Sequence, residues 1–236
     1  QRQMCIRDRW YHSRGVDGLL RALREERGAI KHDLDTRMDW ENFSQSVGWE
    51  KIFVSSVVSE ANQPCVGKSI SQIAAERGHA APADAAFDLL VEEQLAVGMI
   101  SFGLDEADIT AIMRHPAVSF ITDGLMSGRP HPRAYATYPR ILGRYVREQG
   151  VLSLEEAVRK MTSLPARKIR LRNKGVIAEG YDADLVVFDP DTVIDKNSYD
   201  DPRVHPAGIA HVLVNGVFVV EDAALTGARP GRVIRD

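Results

Sequence analysis

Between Gly15 and Arg27 the apolar residues Val16, Leu19, Leu20 and Leu23 return at helical spacing with charge on the opposite face, which predicts an amphipathic helix. A β-rich run then predicts a strand over 51–57, broken at Asn62-Gln-Pro64. Ser69 with Gln72 makes a capping box, so a helix is expected from there to the stop at Gly78. Pro82 opens another helix through Phe87, Leu89, Leu90 and Val91, ending near Gln94. Val97 to Phe102 is a short strand, and Asp105 caps a helix carrying Ile109, Ile112 and Met113.

Val118 to Thr122 returns to strand, with Ser119, Ile121 and Asp123 on one face of the alternation. Pro139 starts a helix whose stripe is Ile141, Leu142, Tyr145 and Val146, stopped by Gly150. Ser153 and Glu156 form a second capping box, with the helix running to about Ser163 before Pro165. After Gly180 the pattern turns to β. Asp184 to Asp189 is an apolar run bounded by acids, and 211–214 and 217–220 flank Asn215-Gly216, a pair whose tolerance of positive φ marks a hairpin. A small β module is therefore expected from about 170 onward.

The chain has 236 residues, 44% hydrophobic and 27% charged, enough for a sizeable core and one or two domains. Its net charge of −3 carries no basic stripe, so nucleic acid is not an expected partner. No apolar run approaches the length of a membrane span, and no membrane partner is expected. Cys5 and Cys65 suggest no disulfide framework, and a reducing cytoplasm is the expected location. Residues 1–9 fit no amphipathic period and have no cap. They read as a translation artefact or a disordered terminus and are set outside the fold.

The richest chemistry lies where Ser119-Phe-Ile-Thr-Asp123-Gly124 leads into Gly128-Arg-Pro-His131-Pro-Arg133-Ala-Tyr135. An apolar strand that ends in an aspartate and opens into a Gly/Pro/His/Arg loop is how a β/α-barrel presents an acid at its carboxyl face. The seven histidines include no His-x-His and show no metal-ligand spacing.

Those segments, with Leu152-Ser-Leu-Glu-Glu-Ala-Val-Arg-Lys-Met-Thr162 and Ala183-Asp-Leu-Val-Val-Phe-Asp189, resemble the D-aminoacylase (N-acyl-D-amino-acid deacylase) branch of the amidohydrolase superfamily. The likeness runs from about Trp10 to the end of the chain. It implies an α/β fold: the carboxyl-terminal part of a metal-dependent (β/α)8 barrel plus part of a small β-sandwich domain. Residues 10–168 would be the partial barrel, with an inserted lid over about 57–104, and 169–236 the β-domain portion. Residues 51–56 would be the seventh barrel strand. The family takes its metal ligands from the first six strands, so the chain reads as a fragment of a longer zinc enzyme, inactive and metal-free by itself.

By the same likeness Asp123 is the general acid/base and can also approach the metal as a weak ligand. Arg133, on the loop after that strand, could hold a substrate carboxylate in a bidentate pair, and its alternative is a surface arginine. His131 and Tyr135 share that loop, and Ser55 ends a candidate barrel strand; these would line the site for a small-molecule N-acyl-D-amino acid. From spacing alone Asp123 is equally a turn residue of an Asp-Gly pair. Two other functions stay open: a dihydroorotase- or hydantoinase-like cyclic amidase, and a non-catalytic remnant without metal.

Overall fold

The computed structural model describes residues 13–36, 42–126 and 130–234, and the expectations for residues 1–9 fall outside them. The chain divides into two compact units, one ending at Leu104 and one beginning at Asp105.

In the first unit, helices Gly15–Glu25 and Arg27–Thr36 bury Leu19, Leu20, Leu23, Ile30 and Leu34 against Phe87 and Leu95. The predicted stripe is the buried one, except that Val16 lies outside it and is exposed. Strand β1 (Ile52–Ser56) pairs antiparallel with β2 (Gly98–Ser101), with a register break between Val54 and Ser56. Helix Ile70–Arg77 has the expected reciprocal capping box between Ser69 and Gln72, and it ends at Gly78 in the left-handed region. With helix Pro82–Glu92 it packs on the buried face of β1, where Ile52 and Val54 meet Ile70, Ile73 and Leu89. Deleting one such side chain to alanine costs about 2–5 kcal/mol.

The short turn Glu60–Cys65 is tied down by a buried carboxylate. Glu93 accepts the N–H groups of Val58 (2.6 Å) and Ser59 (3.0 Å), the Ser59 hydroxyl, and Nδ2 of Asn62 (2.8 Å). Burial alone would raise its pKa, but these hydrogen bonds win and hold it at about 2.

In the second unit, helix Glu106–Arg114 is capped by Asp105, as its sequence predicts. The 118–122 segment is a correction: it forms no strand and belongs to no sheet. A strand needs a neighbour to complete its ladder, and among the described residues none lies beside it. The next helix also differs from expectation. It begins at Arg133, not Pro139, and continues through Arg140 into a π-helical stretch, Ile141–Glu148. Pro139 is tolerated inside because Ala136 already departs from helical geometry, at φ −140°, one turn earlier. Helices Leu154–Met161 and Ser163–Lys168 follow.

Strands β3 (Leu185–Phe188), β4 (Ile209–Val214), β5 (Val217–Glu221) and β6 (Ala224–Leu225) make one antiparallel sheet in chain order. Asn215 and Gly216 both have positive φ, 49° and 77°, so the predicted hairpin turn is present. The core of this unit joins the helical and β segments. Ile141, Leu142 and Tyr145 pack with Val151, Ala157 and Val193, with Phe188 and Ile209 against them. No helix of the described residues is long and apolar enough to cross a membrane.

Candidate functional site

Asp123 follows the 118–122 segment with φ 44°, in the left-handed region that Asp and Asn enter more readily than most residues. Its side chain is 68% exposed. Two neighbours define where it sits. Gly124 packs so closely on the start of the next helix that a Cβ there would lie 2.8 Å from Ala134 Cα, and only glycine allows that approach. Arg133 donates from Nη2 to Asp123 Oδ2 at 2.7 Å and from Nε to the Asp123 backbone carbonyl at 3.1 Å. Its position in the first turn of helix Arg133–Arg140, rather than in a loop, aims the guanidinium back at the segment it follows.

His131 caps that helix. Its Nδ1 accepts the Arg133 backbone N–H at 3.0 Å, satisfying one of the donors that a helix start leaves unpaired. Nδ1 therefore carries no proton, and in the neutral ring the hydrogen is on Nε2, which lies 3.3 Å from the Tyr199 hydroxyl. Burial first, and the Arg133 charge second, push the His131 pKa below the usual histidine range, which agrees with the neutral ring. The two rings meet edge to face at 5.1 Å.

Next to this corner is a cleft of about 230 Å³, walled by His131, Arg133 and Arg140 on the helix side and by Asp195, Asn197 and Tyr199 on the other. Arg140 bonds Asp195 at 2.7 Å, and Asn197 Nδ2 donates to the Pro132 carbonyl at 2.8 Å, fixing the two walls to each other. Burial raises the pKa of the Tyr199 phenol, so the neutral hydroxyl faces the cleft. Arg133 belongs to both features, because it lines the cleft and holds Asp123.

Asp123, His131 and Arg133 are thus brought together. Tyr135 turns instead to the His205 ring, at 5.9 Å, and is not on the cleft wall. Ser55 is in the other unit, at the register break of β1, where its hydroxyl oxygen occupies space that a Cβ on Gly98 would need. Sequence reasoning missed the 195–199 wall. That stretch has no apolar period, and its one signal was a tyrosine in an otherwise polar loop.

A metal finds little here. Among the described residues no three His, Cys, Asp or Glu side chains converge. Arg133 already sits on one Asp123 oxygen, and His131 Nδ1 is turned to a backbone N–H, so these residues do not form a zinc site by themselves.

The model of the amidohydrolase family matches residues 61–220. N-acyl-D-glutamate deacylase of Alcaligenes xylosoxydans xylosoxydans is 43% identical over 178 residues, which is 75% of this chain and 35% of that protein. D-aminoacylase of the same organism is 43% identical over 169 residues, 71% of this chain and 34% of that protein. A crystal structure of N-acyl-D-glutamate deacylase from Bordetella bronchiseptica, complexed with zinc and a phosphonate mimic of the tetrahedral intermediate, is similar at a TM-score of 0.72. It is 38% identical, and the match covers 82% of this chain and 39% of that one. The chain spans about a third of the length of the curated relatives it matches.

Proposed function

Because the chain belongs to the amidohydrolase family, we propose that it forms part of a metal-dependent enzyme that hydrolyses the amide bond of N-acyl-D-amino acids, with Asp123 as the general acid/base. The observation that carries the reading is the Asp123–Arg133 pair, whose arginine also lines the neighbouring cleft, in a chain whose relatives include an N-acyl-D-glutamate deacylase and a D-aminoacylase. The proposal keeps 10–168 as part of a (β/α)8 barrel, about 57–104 as an inserted lid and 169–236 as part of a small β domain. The described residues do not form a zinc site, so the metal this reading requires is assigned to ligands outside them.

The chain's own groups have definite tasks. Amide hydrolysis needs a base for the attacking water and an acid for the departing amine, and one exposed carboxylate can do both in turn. Asp123 takes the proton on a carboxylate oxygen and returns it to the nitrogen as the C–N bond breaks. Arg133 steadies that carboxylate and, being bidentate, can also take up the carboxylate of an N-acyl amino acid. His131 stays neutral and fixes the turn from which Arg133 projects.

The test is an assay of the complete polypeptide containing this chain, supplied with zinc, on N-acetyl-D- and N-acetyl-L-amino acids, with hydantoin and dihydroorotate alongside. Turnover of the D-acyl substrates, falling by about 10²–10⁴-fold in D123N, is expected. Turnover of the cyclic amides alone, or a D123N variant as fast as wild type, would overturn the reading.

A further inference from the structure

The segment that delivers Asp123 has no sheet partner among the described residues, so something else sets its path. Upstream of it His115 to Val118 forms a turn, closed by the Val118 N–H on the His115 carbonyl at 3.1 Å, with Pro116 at its second position. The carbonyl oxygens of this turn all point at cations from the two helices that follow later in the chain. Lys160 donates to those of His115 and Val118, the latter at 3.1 Å. Arg159 donates to Pro116 at 2.8 Å, and Lys168 to Ala117.

Lys160 is the centre of this grip. It is 0% exposed, and its ammonium lies 5.8 Å from the Phe120 ring centroid and 3.8 Å from Glu156. Burying an ammonium is costly unless its donors are satisfied, and two carbonyls, a ring face and a carboxylate satisfy this one. Its backbone takes part as well, since the Phe120 N–H donates to the Lys160 carbonyl at 3.0 Å. Asp123 lies just beyond Phe120, between this anchor and Arg133.

We propose that Lys160 is a positioning residue for Asp123: its buried ammonium grips both ends of the 115–118 turn and sets where the segment carrying the carboxylate enters the site. The inference rests on the reading of Asp123 as the general acid/base. A carboxylate displaced by about 1 Å can lose about 100-fold in rate, so this is the size of effect expected.

The experiment compares K160M, K168M, D123N and the double variant K160M/D123N in the complete polypeptide. K160M keeps the apolar stem and removes the charge. It is expected to lower kcat about 100-fold with KM unchanged, and to speed hydrogen exchange of the Phe120 amide. K168M, altering an exposed residue, should lower kcat several-fold at an unchanged melting temperature. In the D123N background K160M should cost almost nothing further, because a misplaced group that is already absent cannot be misplaced. The same loss from K160M with and without Asp123, or unchanged kcat and unchanged Phe120 exchange, would overturn the proposal. Should K160M fail to fold, K168M decides: a wild-type kcat sinks it. A D123N enzyme of full activity would sink the acid/base reading separately, and the exchange data would still report on the clamp.

Discussion

Arg133 holds Asp123 by two bonds, one to the carboxylate and one to the backbone carbonyl of the same residue. An arginine used only to bind substrate would need no such second bond, so under the proposed function the pair would couple substrate binding to the placement of Asp123. Arg133→Ala is therefore expected to lower kcat by about 10–100-fold, roughly 1.4–2.7 kcal/mol, as well as raising KM for N-acyl-D-amino acids. Steady-state kinetics decide it. A raised KM with kcat intact would return Arg133 to substrate binding alone.

The left-handed backbone at Asp123 separates two substitutions that look alike. Asparagine tolerates φ 44° and alanine does so less readily, so D123A should be about 1 kcal/mol less stable than D123N while both lack the carboxylate. Urea denaturation of the two variants reads the difference, and equal stabilities would remove backbone strain from the account.

At Gly124 the constraint is space. Gly124→Ala places a methyl 2.8 Å from Ala134 Cα, a backbone atom with little room to yield. About 1–3 kcal/mol of lost stability is expected, with reduced kcat because Asp123 must move with it. A variant with wild-type stability and rate would show that the turn is freer than drawn.

Glu93 gives a pH dependence with a definite sign. Its pKa falls from 4.5 to about 2 on folding, so its contribution is complete above about 4.5 and is lost as the pH drops toward 2. Glu93→Gln should remove that part of the acid sensitivity and lower stability near neutrality by about 1–3 kcal/mol, since one buried acceptor is replaced by a donor. Melting temperatures of both proteins across acid pH provide the check, and parallel curves would count against it.

His131 should titrate below the ordinary histidine range, because burial first and the nearby Arg133 charge second disfavour its protonated form. The stability from this group is complete above about 6.5 and is lost as the pH falls through its depressed folded pKa. An NMR titration of the imidazole tests this, and a normal or raised value would contradict the assigned tautomer.

Local signals were legible wherever neighbouring residues settle the structure. The capping box at Ser69, the stop at Gly78, the cap at Asp105 and the hairpin at Asn215-Gly216 depend on residues a few positions apart, and all are present. The 118–122 strand was misread because an apolar run shows a strand's surface but not the neighbour that would pair with it. The helix start at Arg133 was misread because Pro139 is an ordinary first-turn signal, whereas the capping group is a histidine ring nitrogen, which is no usual capping type. At the site, Asp123, His131 and Arg133 are close in sequence and were found together. The wall from Asp195 to Tyr199 comes from a distant segment, and the buried Lys160 was hidden in a helix as one cation among several.

The hairpin turn has a bearing on how the molecule ages. Asparagine followed by glycine is the sequence most prone to spontaneous deamidation, in which the glycine nitrogen attacks the side-chain amide. Here that nitrogen donates to the Ala183 carbonyl at 2.9 Å, and the Asn215 amide donates to Pro230 at 2.8 Å, so both reacting groups are held apart by their partners. Slow conversion of Asn215 to an acid, read by mass spectrometry of stored protein, would thus report transient opening of the β4–β5 hairpin long before any loss of the whole fold.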